Sequence, residues 1–130
     1  MITFSPEHLG LATRDSIALK DWYVRVFGAE VRFDNREQPP AFLVRLGGTL
    51  IEIYPADTAR PETANNKLAG WRHLALRVEN IEAARDELAR RGVTITEPIK
   101  PAGGGGRVLF FSDPEGNLLH LVERPPGVSF

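Results

Sequence analysis

Three histidines and one glutamate carry most of the chemistry open to this chain. The histidines are His8, His73 and His120, the only three among 130 residues, and cysteine is absent. Without cysteine there are no disulfides, thiolate metal sites or cysteine nucleophiles. Imidazole serves near neutral pH as acid, base or metal ligand, so what matters is whether the three meet. His8-Leu9-Gly10-Leu11 has its counterpart 65 residues later in His73-Leu74-Ala75-Leu76. Leu50-Ile51-Glu52-Ile53 has its counterpart 68 residues later in Leu118-Leu119-His120-Leu121, which makes Glu52 and His120 equivalent positions. Side chains alternate along a strand, so each of the four polar residues is turned away from the leucines and isoleucines beside it. A pseudo-twofold relation between the repeats would bring His8 to His73 and Glu52 to His120. Three imidazoles and a carboxylate at one point suit a divalent ion such as Zn, Ni, Co, Fe(II) or Mn, with positions left for substrate or water. A buried Glu52 without a cation would be costly.

Such donors need strands to point them and helices to back the strands. Leu19, Trp22, Tyr23, Val26 and Phe27 follow helical spacing, with Asp15 or Ser16 placed to cap the start and Gly28 the end. Ile81, Ala84 and Leu88 make the apolar side of a second helix that Asn80 opens and Gly92 closes, with Asp86 to Arg90 and Glu87 to Arg91 pairs outside. Eight period-two runs read as strands: His8 to Thr13, Glu30 to Phe33, Phe42 to Leu46, Leu50 to Tyr54, His73 to Val78, Thr94 to Thr96, Val108 to Phe111 and Leu118 to Val122. Gly47-Gly48 and Asp113-Pro114-Glu115-Gly116-Asn117 read as turns, and the glycines at 103–106 as a mobile loop near the cavity mouth.

The order of strand, helix and three strands occurs twice. The fold class is therefore α+β, two βαβββ modules pairing into an open, partly closed β-barrel, as a single domain over 1–130. The modules span 1–56 and 71–126, and a linker spans 57–70. Lys and Arg number 16 against 17 Asp and Glu, for a net charge of −1, which lacks the clustered basic excess of a nucleic-acid surface. No apolar run approaches the roughly 20 residues of a membrane span and no signal peptide is evident, so the expected location is the cytoplasm.

The sequence resembles the vicinal oxygen chelate superfamily, which includes glyoxalase I, bleomycin-resistance proteins, fosfomycin-resistance enzymes and extradiol dioxygenases. The resemblance is carried by Glu7-His8-Leu9-Gly10-Leu11, Trp22-Tyr23, Phe27-Gly28-Ala29-Glu30, Leu50-Ile51-Glu52-Ile53, His73 to Val78 and Phe110 to Asn117. It implies metal ligands at His8, Glu52, His73 and the last-strand position, here His120. Glyoxalase-like members usually have Glu at that last position. One carboxylate instead of two leaves the site near +1, which favours an anionic substrate.

The implied activity is that of a divalent-metal-dependent enzyme of the glyoxalase or isomerase type. It would chelate a small substrate through adjacent oxygens and stabilise an oxyanion or enolate, with Glu52 as the proton acceptor and His120 as the reserve. The alternatives are an Fe(II) dioxygenase and a metal-free drug-sequestering protein. Arg45, Arg77 and Arg107 are candidates to hold an anionic group, and Phe111 to line the pocket. The expected partners are a small-molecule substrate and a second copy of the chain in a homodimer, with no nucleic acid and no membrane.

Overall fold

A computed structural model describes residues 2–59 and 61–130. The chain divides into two compact units, with the division after Ala59.

The first unit runs β1 (His8–Thr13), α1 (Ser16–Phe27), β2 (Glu30–Asp34), β3 (Phe42–Leu46) and β4 (Thr49–Pro55). Its sheet has the order β1-β4-β3-β2, and β1 and β4 are parallel. Asp15 keeps an extended backbone while its side chain accepts from the Ala18 N–H at 3.0 Å, which satisfies one of the donors a helix start leaves unpaired. Gly28 ends α1 in the left-handed conformation at φ 69°, where a side chain would be strained. Leu19, Tyr23 and Val26 on the helix and Val44, Ile51 and Ile53 on the sheet are all buried. Each such aliphatic side chain contributes on the order of 2 kcal/mol, so the alternation Ile51-Glu52-Ile53 leaves Glu52 on the side away from α1.

The second unit runs β5 (His73–Arg77), α2 (Ile81–Arg90), β6 (Lys100–Pro101), β7 (Arg107–Ser112) and β8 (Leu118–Glu123). The sheet order is β5-β8-β7-β6, with β5 and β8 parallel. Asn80 caps α2 as Asp15 caps α1, accepting from the Ala83 N–H at 2.9 Å. Glu123 in β8 accepts from the Ile81 N–H, so the first turn of α2 is tied to the sheet. Ile81 is fully buried, as are Leu109 and, within 1–2%, Leu119 and Leu121.

The repeat extends to strand register. In the first unit His8 lies opposite Leu50 and Gly10 opposite Glu52; in the second His73 lies opposite Leu118 and Ala75 opposite His120. Both parallel pairs thus present their polar residues with the same offset on the same side of the sheet.

Four details depart from the sequence reading. Thr94 to Thr96 form no strand, and the edge strand is instead the two-residue β6, which pairs Lys100 with Val108 and Pro101 with Arg107. Thr-Ile-Thr has strand alternation, but Pro98 follows after Glu97 and cannot donate to a ladder. On α2, Glu87 takes both Arg90 and Arg91 while Asp86 pairs with its neighbour Arg85, so the Asp86 to Arg90 pair does not form. The stretch before β5 contains a short 3₁₀ turn, Pro61–Ala64. The glycine-rich stretch is a hydrogen-bonded hairpin loop: the Ala102 N–H donates to the Gly106 carbonyl and Arg124 donates to the carbonyls of Gly103 and Gly105.

Candidate functional site

In the first unit His8 and Glu52 share the sheet face away from α1, on adjacent parallel strands. The Nδ1 of His8 lies 2.8 Å from the Glu7 carboxylate, and Glu52 is half-buried. Arg45 stands opposite Leu50 in the β3–β4 ladder, on that same face, and is exposed.

In the second unit His73 and His120 share the equivalent face, with ring centroids 4.7 Å apart. Phe110, opposite His120 in the β7–β8 ladder, packs against both rings at 4.7 Å and 5.8 Å. His73 Nδ1 is 2.7 Å from the Asn66 side-chain oxygen, and His120 Nδ1 is 3.1 Å from the Leu121 carbonyl. His120 is 94% buried, the complement of its 6% exposure. That burial pushes its pKa below the ordinary imidazole value; the Leu121 carbonyl opposes the shift, and the charges of His73 and Arg124 add to it.

One feature is common to the three imidazoles. Each Nδ1 faces an oxygen that can only accept: a carboxylate, a side-chain amide oxygen and a backbone carbonyl. The neutral ring therefore carries its proton on Nδ1 and leaves the Nε2 lone pair for another partner. This is how proteins orient imidazole for a metal. Among the described residues, no three His, Cys, Asp or Glu side chains are gathered as a ready-made ligand set. What each unit offers is a pair, His8 with Glu52 and His73 with His120.

A cavity of about 420 Å³ opens beside the second pair. Asn66 and Phe110, which contact the imidazoles, also line it, together with Thr94, Thr96, Glu97, Lys100 and Ser112. Phe111 reaches its wall from the buried side of the sheet. Arg77 is on the His73 face but donates to the Val128 carbonyl at 2.8 Å. Arg107 is on the opposite face, where Glu82 and Glu123 hold its guanidinium and raise its pKa, Glu82 most strongly. It anchors α2 and does not face the cavity.

Sequence reasoning missed Asn66, Glu97 and Lys100. Asn66 precedes β5 in a stretch without periodicity, and only the folded chain shows it beside His73. Lys100 is hidden by the same error that placed the edge strand at Thr94 to Thr96.

The family described as Glyoxalase/Bleomycin resistance protein/Dioxygenase superfamily matches residues 5–121. A 2-epi-5-epi-valiolone epimerase from an Actinomyces species is 31% identical over 121 residues, covering 87% of this chain and 64% of that protein. The crystal structure of a glyoxalase family protein from Enterococcus faecalis is 31% identical with a TM-score of 0.77, covering 92% of this chain and 97% of that one. The fosfomycin resistance protein FosX from Listeria monocytogenes, complexed with Mn(II) and sulfate ion, has a TM-score of 0.70 at 19% identity, covering 97% of this chain and 94% of that one. No helix among the described residues is long and apolar enough to cross a membrane.

Proposed function

The chain belongs to the Glyoxalase/Bleomycin resistance protein/Dioxygenase superfamily, and from that premise we propose that it is a divalent-metal-dependent enzyme of the glyoxalase or isomerase type. Its substrate is a small oxygenated metabolite, its working form is a homodimer, and it acts in the cytoplasm. The observation that carries the reading is a shared contact: each of the three imidazoles has its Nδ1 within hydrogen-bond distance of an oxygen and its Nε2 open. His8, His73 and His120 would hold the ion through those nitrogens and Glu52 through its carboxylate.

When bound, the ion supplies stabilisation of the negative charge that develops on a substrate oxygen. The protein residues do the rest. Glu52, released from the ion during turnover, would accept the proton from the carbon next to that oxygen and return it, and its half-buried place on the sheet suits a carboxylate that must be both reachable and fixed. His120, whose burial lowers its pKa, would be the second acceptor only with its Nε2 off the ion. The Actinomyces relative is an epimerase, a class compatible with this chemistry, and FosX carries Mn(II) on the same fold.

The test has two parts. Titration of the full chain with Mn(II), Ni(II), Zn(II), Co(II) and Fe(II) should give one ion per chain, and His73→Ala or His120→Ala should weaken binding. With metal present, α-hydroxy ketones in D₂O should take up deuterium next to the carbonyl, and Glu52→Gln should abolish the uptake. Failure of every ion to bind, or equal binding by the alanine variants, refutes the reading. Oxygen consumption with Fe(II) would replace it by a dioxygenase.

A further inference from the structure

We infer that the cavity beside His73 and His120 takes a small polyhydroxylated acid, with its anionic group on the Lys100 ammonium. The inference rests on the proposed function only for which end of that ligand would react.

The volume, about 420 Å³, lies at the lower end of the roughly 300–1,000 Å³ span of small-molecule sites. That suits a compound of metabolite size. The lining then decides its chemistry. β6 pairs Lys100 with Val108, two residues from Phe110 on β7, so the lysine side chain comes to the same sheet face as Phe110. The ammonium sits 4.9 Å from the centre of the Phe110 ring, whose neighbour is the His120 imidazole. Among the described residues Lys100 forms no ion pair; its ammonium rests on the aromatic face and its three N–H donors are open to an anion.

The rest of the lining is mixed: Ala64, Phe111 and Leu118 give an apolar side, and the other residues are polar. Thr94, Thr96 and Ser112 offer hydroxyls. Asn66 gives its oxygen to His73, which leaves its amide hydrogens to donate. Among the described residues of the wall, Glu97 is the one carboxylate. It accepts from hydroxyl groups and repels a second anion, so it sets the ligand's direction: acid toward Lys100, hydroxyls toward Glu97. An apolar ligand would strand these groups without partners, at a cost that hydrogen-bonding sites use to reject it. A neutral sugar would leave the ammonium unmatched.

D-gluconate and its uncharged counterpart sorbitol are the probes, measured by calorimetry on chelator-treated full-length protein. Gluconate should bind roughly tenfold or more tightly than sorbitol, the size of one charge-assisted hydrogen bond. Lys100→Met should erase that preference and Lys100→Arg should keep most of it. Equal binding of the two probes, a preference that survives Lys100→Met, or no binding of either would overturn the inference. A parallel Mn(II) titration of the wild type and Lys100→Met keeps the two readings apart. If no ion binds and the gluconate preference persists, the metal reading fails and the acid site stands. If Mn(II) binds equally to both proteins and the preference is absent, the acid site alone fails.

Discussion

An imidazole holds a cation only through the nitrogen that carries no proton, so the residue opposite the other nitrogen decides whether a histidine can serve as a ligand. Glu7, Asn66 and the Leu121 carbonyl take that role here. Replacing Asn66 by Ala frees the His73 ring to change tautomer and to turn. The expected result is a loss of roughly 10–100-fold in Mn(II) affinity, the usual effect of removing such a partner, with the circular dichroism spectrum unchanged. Competition titration against a chelator measures it. Glu7→Gln should cost less, because an amide oxygen still accepts and the pair is exposed. The strand positions of the four proposed donor residues were legible in the sequence because all lie in regular alternating runs. Their partners were legible only where adjacent in the chain, as Glu7 is to His8. Asn66 comes from an aperiodic stretch, and no period points its side chain.

Among the elements, α2 is the one whose attachment is most sharply defined. Arg107 of β7 ties Glu82 in the first turn of α2 to Glu123 of β8, and Glu123 also accepts from the Ile81 N–H. Arg107 holds the Glu82 carboxyl below the usual carboxylate range; Glu123 is lowered first by the Ile81 N–H and then by Arg107. Carboxyls depressed in the folded state stabilise it above their ordinary value of 4.5, and the effect is lost as pH falls through the depressed values. The stability difference between wild type and Arg107→Met should therefore be largest at pH 7 and shrink below pH 4.5. Urea midpoints across that range measure it.

The hairpin loop before β7 gives a second contrast. At Gly106, φ is 91° and an added Cβ would lie 1.9 Å from the Glu123 carbonyl oxygen, whereas at Gly103 nothing lies within 4 Å. Gly106→Ala should destabilise by on the order of 2 kcal/mol or more, and Gly103→Ala should be nearly neutral by thermal unfolding. Helix ends and most strands were legible from caps and alternation. The edge strand was not, since two residues are too few to show a period.

For the whole molecule, the equivalence of positions 52 and 120 is the property that the duplicated sequence announced and the strand registers reproduce. If the two pairs act as one donor set, exchanging them should preserve it. The double variant Glu52→His with His120→Glu should bind one divalent ion per chain, as proposed for the parent. Its metal-free form should melt lower, because the place occupied by His120 is buried and a carboxylate there loses solvation. Metal should raise its melting temperature more than it raises that of the parent. Differential scanning calorimetry with and without Mn(II) decides the matter.

The shared pleat phase of β1 and β5 also governs which changes in chain length the protein can absorb. Adding or removing one residue within either strand turns its imidazole to the helix side and drives a leucine outward, so the error cannot be corrected by local relaxation. Residues 57–59 lie after the last strand of the first unit and before Asn66, and a gain or loss there leaves both ladders in phase. A library of single-codon insertions and deletions, sorted for folded protein, should accumulate survivors in that short interval and be empty across both parallel strands.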